Sequence, residues 1–309
     1  MDPLLDWSQA PLRLRSGSIG RPLARHAFRR LVHDAGQALR AAGVGSPDNN
    51  ARVLAEHVVG TSLVMCEGAS AEQVGRFLAL VEQRAARVPL QHLTGRMWFR
   101  GLELVCRPGV FIVRPETEVV AGAAIGAAQA VEEPGRRPLV VDLCTGSGAI
   151  AAALAVEVPG SRVIAVEIDP AAAELARENC RRHAPGRVRV LRANATAPSA
   201  LAKLDGLADV VVSNPPYVPA GAVEDEETER YDPDLALYGG GADGLAVPLA
   251  VVRRAAALLR PGGVLVMEHD PGQGAALRGA ALAAGFGQAV TGADLTGRDR
   301  YLRAVTESA

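Results

Sequence analysis

Leu139-Val140-Val141-Asp142-Leu143-Cys144-Thr145-Gly146-Ser147-Gly148 is the stretch that decides the fold. An apolar run of strand length meets an acid, a glycine turn follows, and 149–156 then reads as a helix. The alternation continues downstream. Residues 163–166 read as a second strand leading into a helix over 170–182, with further strands at 188–191 and 209–213. A helix over 247–259 ends at Pro261-Gly262-Gly263, before a strand at 264–267. Strands alternating with helices in this way predict an α/β fold, a mostly parallel sheet with helices on both faces.

Upstream the pattern differs. Residues 1–25 carry Pro3, Pro11, Gly17, Gly20 and Pro22 and no period, as expected of a flexible extension. From Phe28, Leu31, Val32, Ala35, Leu39 and Ala42 recur at helical spacing. Ser46-Pro47 reads as an N-cap with proline at the first helical position, opening a second helix with Ala51, Leu54, Ala55 and Val58 inward. A third starts at Ser70 and carries Val74, Phe77, Leu78 and Val81. These helices predict a small domain over 26–88. Residues 89–114, with Trp98, Leu102 and Leu104 around Gly101, predict a linking hairpin. Arg114-Pro115-Glu116-Thr117-Glu118 then opens the sheet domain, 115–309, with proline and acids in a helical first turn.

A glycine turn between strand and helix lets the backbone approach a ligand closely, because no Cβ intervenes. About 25 residues on, the second strand ends in Glu167-Ile168-Asp169, where a carboxylate can accept hydrogen bonds from both ribose hydroxyls of a nucleoside. NAD and S-adenosylmethionine both use such a site. The third glycine of the dinucleotide pattern is absent, since Ala151 stands there, and Asp142 suits a cationic sulfonium better than a pyrophosphate. Both details favour the methyl donor. Its candidate contacts are Asp142, Thr145, Gly146, Gly148 and Glu167, with Asn194 after the third strand offering its amide oxygen to the adenine amino edge.

Ser213-Asn214-Pro215-Pro216-Tyr217 follows the fourth strand. An amide or exocyclic amine nitrogen is a poor nucleophile, its lone pair being delocalised into the neighbouring π system. Accepting both of its hydrogens leaves that lone pair facing the methyl group. The Asn214 side-chain oxygen can take one hydrogen and the Pro215 carbonyl the other, while Pro215 and Pro216 stiffen the loop and Tyr217 packs on the planar acceptor. Asn214, Pro215 and Tyr217 are the candidate catalytic residues, and with Pro216 they form the candidate substrate site. The motif leaves the acceptor open, because enzymes that methylate flipped bases use similar motifs.

The remaining bulk properties narrow the classes. A formal net charge of −1 gives no overall pull toward nucleic acid or an anionic membrane. Cys66, Cys106, Cys144 and Cys180 lie far apart, which argues against zinc or a disulfide framework. Asp2, Asp6, Arg13 and Arg15 interrupt any signal-like run, and no apolar stretch is long enough to span a bilayer. The expectation is a cytoplasmic monomer with no metal, no membrane association and no direct nucleic-acid binding.

The chain resembles the bacterial release factor glutamine methyltransferases from about Phe28 to Val305. The likeness is carried by Pro89-Leu90-Gln91-His92-Leu93-Thr94-Gly95, by 111–118, by the donor and acceptor motifs, and by Tyr231-Asp232-Pro233 with Gly240-Gly241-Ala242-Asp243-Gly244. Glu268-His269, Gln273-Gly274 and Asp294-Leu295-Thr296-Gly297-Arg298 also match. The resemblance implies a seven-stranded Rossmann-like methyltransferase sheet, with an N-terminal helical domain that helps hold the substrate. It implies methyl transfer from S-adenosylmethionine to the glutamine amide in the Gly-Gly-Gln loop of class-1 peptide chain release factors, leaving S-adenosylhomocysteine. It adds Asn214 to the donor contacts and seats the glutamine on Asn214, Pro215 and Tyr217. Asn194 departs from the family's usual aspartate, and Cys144 from its commoner glycine. A glutamine of a ribosomal or other protein, a nucleic-acid amine, and a fold that binds without turnover remain as alternatives.

Overall fold

A computed structural model describes residues 21–131, 136–222 and 225–308. The extension expected over 1–25 lies outside these residues up to position 20, and from Leu23 the chain is already regular. The described residues divide into two units, 21–95 with 225–231, and 96–222 with 232–308.

The first unit runs β1 (Leu23–Ala24), α1 (Arg25–Ala41), α2 (Pro47–Val59), β2 (Gly68–Ala69), α3 (Ala71–Ala85) and α4 (Leu90–Thr94). Its core joins Phe28, Leu39, Leu54, Val74 and Phe77, the residues whose helical spacing predicts burial. Phe28 and Phe77 meet edge to face at 5.7 Å. Ser70 caps α3 reciprocally with Gln73. Ser46 does not cap α2: its backbone is left-handed (φ 49°), whereas a side-chain N-cap needs an extended one. Residues 90–94, expected within the hairpin segment, are helical. The buried Arg84 donates to Asn50, to the Val88 carbonyl and to Glu227, which ties 225–231 to this unit.

The second unit opens with a hairpin, β3 (Arg96–Phe99) and β4 (Leu102–Val105). Its two turn residues, Arg100 and Gly101, both have positive φ, as a tight two-residue hairpin turn requires. Then come α5 (Thr117–Gln129), β5 (Leu139–Leu143), α6 (Ala149–Glu157), β6 (Arg162–Glu167), α7 (Pro170–His183), β7 (Val188–Arg192) and β8 (Ala208–Ser213). After α8 (Glu226–Tyr231) follow α9 (Asp234–Leu237), α10 (Ala246–Leu258), β9 (Leu259–Glu268), α11 (Gly274–Ala283), β10 (Phe286–Ala293) and β11 (Asp299–Thr306). The sheet has seven strands in the order β10-β11-β9-β8-β5-β6-β7. β9, β8, β5, β6 and β7 are mutually parallel, and β11 runs antiparallel to both β9 and β10.

Strand periodicity sorts the core onto two faces. Val140, Val210, Val212 and Val266 pack with α5 and α6, while Val141, Leu143, Val211 and Met267 pack with α10 and α11. β9 starts earlier than expected: Leu259 already pairs with Ala208, a register shift absorbs Pro261-Gly262-Gly263, and regular pairing resumes at Val264. From β5 the chain builds outward through β6 and β7, then returns to build β8 and β9 on the other side. That reversal opens a crevice at the carboxyl ends of β5 and β8, the usual place for a ligand in such sheets. Among the described residues, no helix is long and apolar enough to cross a membrane.

Candidate active site

A cleft of about 300 Å³ lies at these strand ends, and Gly146, Glu167, Asn194, Asn214, Pro215, Pro216 and Tyr217 line it. Seven sequence-predicted residues are thus brought together. Glu167 closes β6, and its carboxylate accepts backbone N–H bonds from Gly146 at 2.8 Å, Ile168 at 2.8 Å and Asp169 at 2.9 Å. The acid therefore braces the glycine turn while facing the cleft. Gly146 has φ +56°, and a Cβ built there would meet no protein atom within 4 Å. Its conformation and the open space before it, not packing, explain the missing side chain.

Asp142, Thr145 and Gly148 stand behind the cleft rather than on its wall. A Cβ at Gly148 would sit 2.9 Å from the Ala176 Cα, so this glycine lets the start of α6 pack on α7. Asp142 is fully buried and accepts the Thr145 hydroxyl. Burial pushes its pKa up to about 7; the Thr145 bond opposes the shift and the Glu167 charge adds to it. Asn194 also differs from expectation. Its Oδ1 already accepts from the Thr196 backbone N–H at 3.0 Å and the Thr196 hydroxyl at 2.7 Å. Both lone pairs are used in this local turn, so Nδ2, a donor, is what Asn194 can offer to a base.

On the acceptor side, Asn214 Nδ2 donates to the Thr117 hydroxyl oxygen at 3.2 Å, which leaves Oδ1 as the group free to receive a hydrogen. The Tyr217 hydroxyl donates to Glu268 at 3.1 Å. The backbone of the loop is clamped by 237–247. Val218 donates to the Leu237 carbonyl at 2.8 Å and Gly239 donates to the Val218 carbonyl at 3.1 Å. A Cβ at Gly239 would lie 2.8 Å from the Pro216 oxygen, and one at Gly244 would lie 2.2 Å from the Tyr217 oxygen. Gln273 Nε2 adds bonds to the Tyr217 and Asp243 carbonyls, each at 2.9 Å. The glycine-rich 239–244 segment is thus the bed on which Pro216 and Tyr217 lie.

Sequence reasoning missed Val110, Phe111, Arg114, Cys144 and Ile168, which also line the cleft. Arg114 stacks over Phe111 at 5.0 Å and pairs with the buried Asp232 at 2.6 Å. Their signal was present, since 111–118 and 231–233 both belong to the family-like stretches. Cys144 adopts φ +61°, a region that favours glycine. Burial pushes its thiol up to about 12, which favours the protonated form at the cleft wall.

A family model described as PrmC N-terminal domain matches residues 30–95, and one described as Methyltransferase small domain matches 101–231. A release factor glutamine methyltransferase of Bifidobacterium longum is 44% identical over 291 residues, which is 89% of this chain and 98% of that one. The chain belongs to the release factor glutamine methyltransferase family. Relatives of the same name in Mycolicibacterium smegmatis and Deinococcus radiodurans are 44% and 41% identical, each covering 90% of this chain. Those two are themselves covered over 97% and 98% of their length, so the likeness to the family embraces both units.

Proposed function

We propose that the chain transfers a methyl group from S-adenosylmethionine to the side-chain amide nitrogen of the Gly-Gly-Gln glutamine in class-1 peptide chain release factors, in the cytoplasm. The observation that carries this reading is the Asn214 amide, turned by Thr117 so that Oδ1 is left to accept, on a cleft shared with Gly146 and Glu167. Residue types fit the donor. The open space before Gly146 admits a nucleoside, Glu167 Oε2 retains one acceptor site for a ribose hydroxyl, and the Asn194 amide nitrogen can donate to a base acceptor. When bound, S-adenosylmethionine supplies a methyl group made electrophilic by its sulfonium.

The protein's own contribution is to hold the nitrogen. Asn214 Oδ1 accepts one amide hydrogen and the Pro215 carbonyl the other, so the lone pair is directed at the methyl carbon. Pro215 and Pro216 limit the loop's freedom and the glycine bed fixes its backbone, so the acceptors stand ready before substrate arrives. Tyr217 presents its ring to the planar amide. No general base is needed, because the nitrogen becomes acidic on methylation and its proton leaves to water. The helical unit would grip the body of the release factor.

Asn214→Ala tests the assignment. Methyl transfer to a purified release factor should fall at least a hundredfold in kcat at saturating donor, with thermal stability close to wild type. Transfer at the wild-type rate would remove Asn214 from the chemistry.

A further inference from the structure

Glu268 ends β9, is 1% exposed, and takes no part in the steps above. The parallel pairing of Ser213 with Met267 sets it beside Asn214, one residue beyond on each strand. Oε1 accepts the Tyr217 hydroxyl at 3.1 Å. Thr117, fully buried at the start of α5, receives Asn214 Nδ2 at 3.2 Å, and its hydroxyl stands close enough to the same carboxylate to lower its pKa. Two side chains of the acceptor loop therefore lead back to one acid. A carboxylate is costly to take out of water, and Oε2 gains no close hydrogen-bond partner among the described residues in return. For stability alone, an apolar or amide side chain would serve better at this position.

We propose that Glu268 is a positioning residue for methyl transfer, holding the Tyr217 ring directly and the Asn214 amide through the Thr117 hydroxyl. This rests on the acceptor reading given above. Hydrogen-bond polarity sets the order of donors and acceptors here. Thr117 has a single hydroxyl hydrogen, and a carboxylate can only accept it. Its lone pairs then face Asn214, which must turn Nδ2 toward Thr117 and Oδ1 away. A donor at position 268 would reverse the chain: the hydroxyl hydrogen would turn to Asn214, the amide would flip, and an amine would meet the substrate's own N–H.

Protonation of Glu268 would have the same effect as a donor there. Burial raises its pKa to about 7 against the Thr117 and Tyr217 bonds, with Arg300 of β11 also lowering it and Glu116 beside α5 raising it. The acidic limb of the pH profile is thereby a readout that a merely structural residue would not move.

The test uses the full chain with a purified release factor and saturating S-adenosylmethionine. Glu268→Gln should lower kcat tenfold or more, leave KM and the donor dissociation constant within threefold, and abolish the loss of kcat below about pH 7. A kcat within threefold of wild type with the acidic limb retained would overturn the proposal. Should Glu268→Gln fail to fold, Thr117→Val carries the test, with the same kcat-only loss expected and an unchanged kcat contradicting it. If the wild-type chain transfers no methyl to the release factor, the acceptor reading fails instead. Exchange of the Asn214 side-chain amide protons, read in nitrogen-15 spectra, then judges Glu268 separately: faster exchange in Glu268→Gln supports its hold on Asn214, and equal rates refute it.

Discussion

Gly244→Ala is predicted to cripple turnover without unfolding the protein. At this position φ is +71°, and an added Cβ would lie 2.2 Å from the Tyr217 carbonyl oxygen and 2.9 Å from the Pro219 nitrogen. Two costs follow. An L side chain in left-handed backbone is strained by about 1–2 kcal/mol, which a unit with this much core can tolerate. The second is positional. Both obstacles are backbone atoms of the acceptor loop, so relief means moving Tyr217 itself by roughly 0.8 Å or more. A misplacement of about 1 Å at a reacting centre is worth about a hundredfold in rate. Gly241→Ala is the control: φ is +73°, but the nearest atom is a side-chain oxygen of Asp243 at 3.2 Å, which can yield. The assay is steady-state methylation of a release factor at saturating donor, with thermal melts alongside. Gly244→Ala should lose more stability than Gly241→Ala yet remain folded, and only Gly244→Ala should lose about a hundredfold in kcat. If the two folded variants turn over within threefold of one another, the clamp argument is wrong.

Two further outcomes follow from the donor side. Glu167→Ala removes the acceptor of three backbone N–H bonds and of the proposed ribose contact, and donor affinity should fall about a hundredfold or more by calorimetry; an unchanged affinity would exclude Glu167 from the donor site. Asp142 has a folded pKa of about 7 against about 3.9 when unfolded, so the folded state binds the extra proton between those values and stability drains away as pH rises through that window. Asp142→Asn should therefore melt above wild type at about pH 8, with the gap closing toward about pH 4; a gap that ignores pH would contradict the buried-acid account.

The parallel sheet was readable because its strands are short β-branched runs separated by helices, a pattern that little else produces. The cleft was readable for a related reason. Glycine turns, the terminal Glu167 and the 214–217 loop all sit at strand ends, and a doubly wound sheet brings those ends together. What escaped was tertiary. Thr117, Asn214 and Glu268 come from three distant segments, and no spacing in the chain announces that they meet. Gly239 and Gly244 read as a loop until their contact with the Pro216 and Tyr217 carbonyls is seen. The pairing of Arg84 with Glu227, which draws 225–231 toward the helices, is likewise invisible in sequence. Two misreadings were local. Ser46 has the right chemistry for a cap and the wrong backbone, and Asn194-Ala195-Thr196 could have been recognised as a turn that consumes the asparagine oxygen.

The most direct test of the central claim is mass spectrometry of a purified class-1 release factor after incubation with the full chain and S-adenosylmethionine. The predicted result is one added methyl group on the glutamine of the Gly-Gly-Gln loop, absent when that glutamine is replaced by asparagine. A donor-bound, folded protein that leaves this glutamine unmodified, or that methylates a nucleic-acid amine instead, would contradict the account.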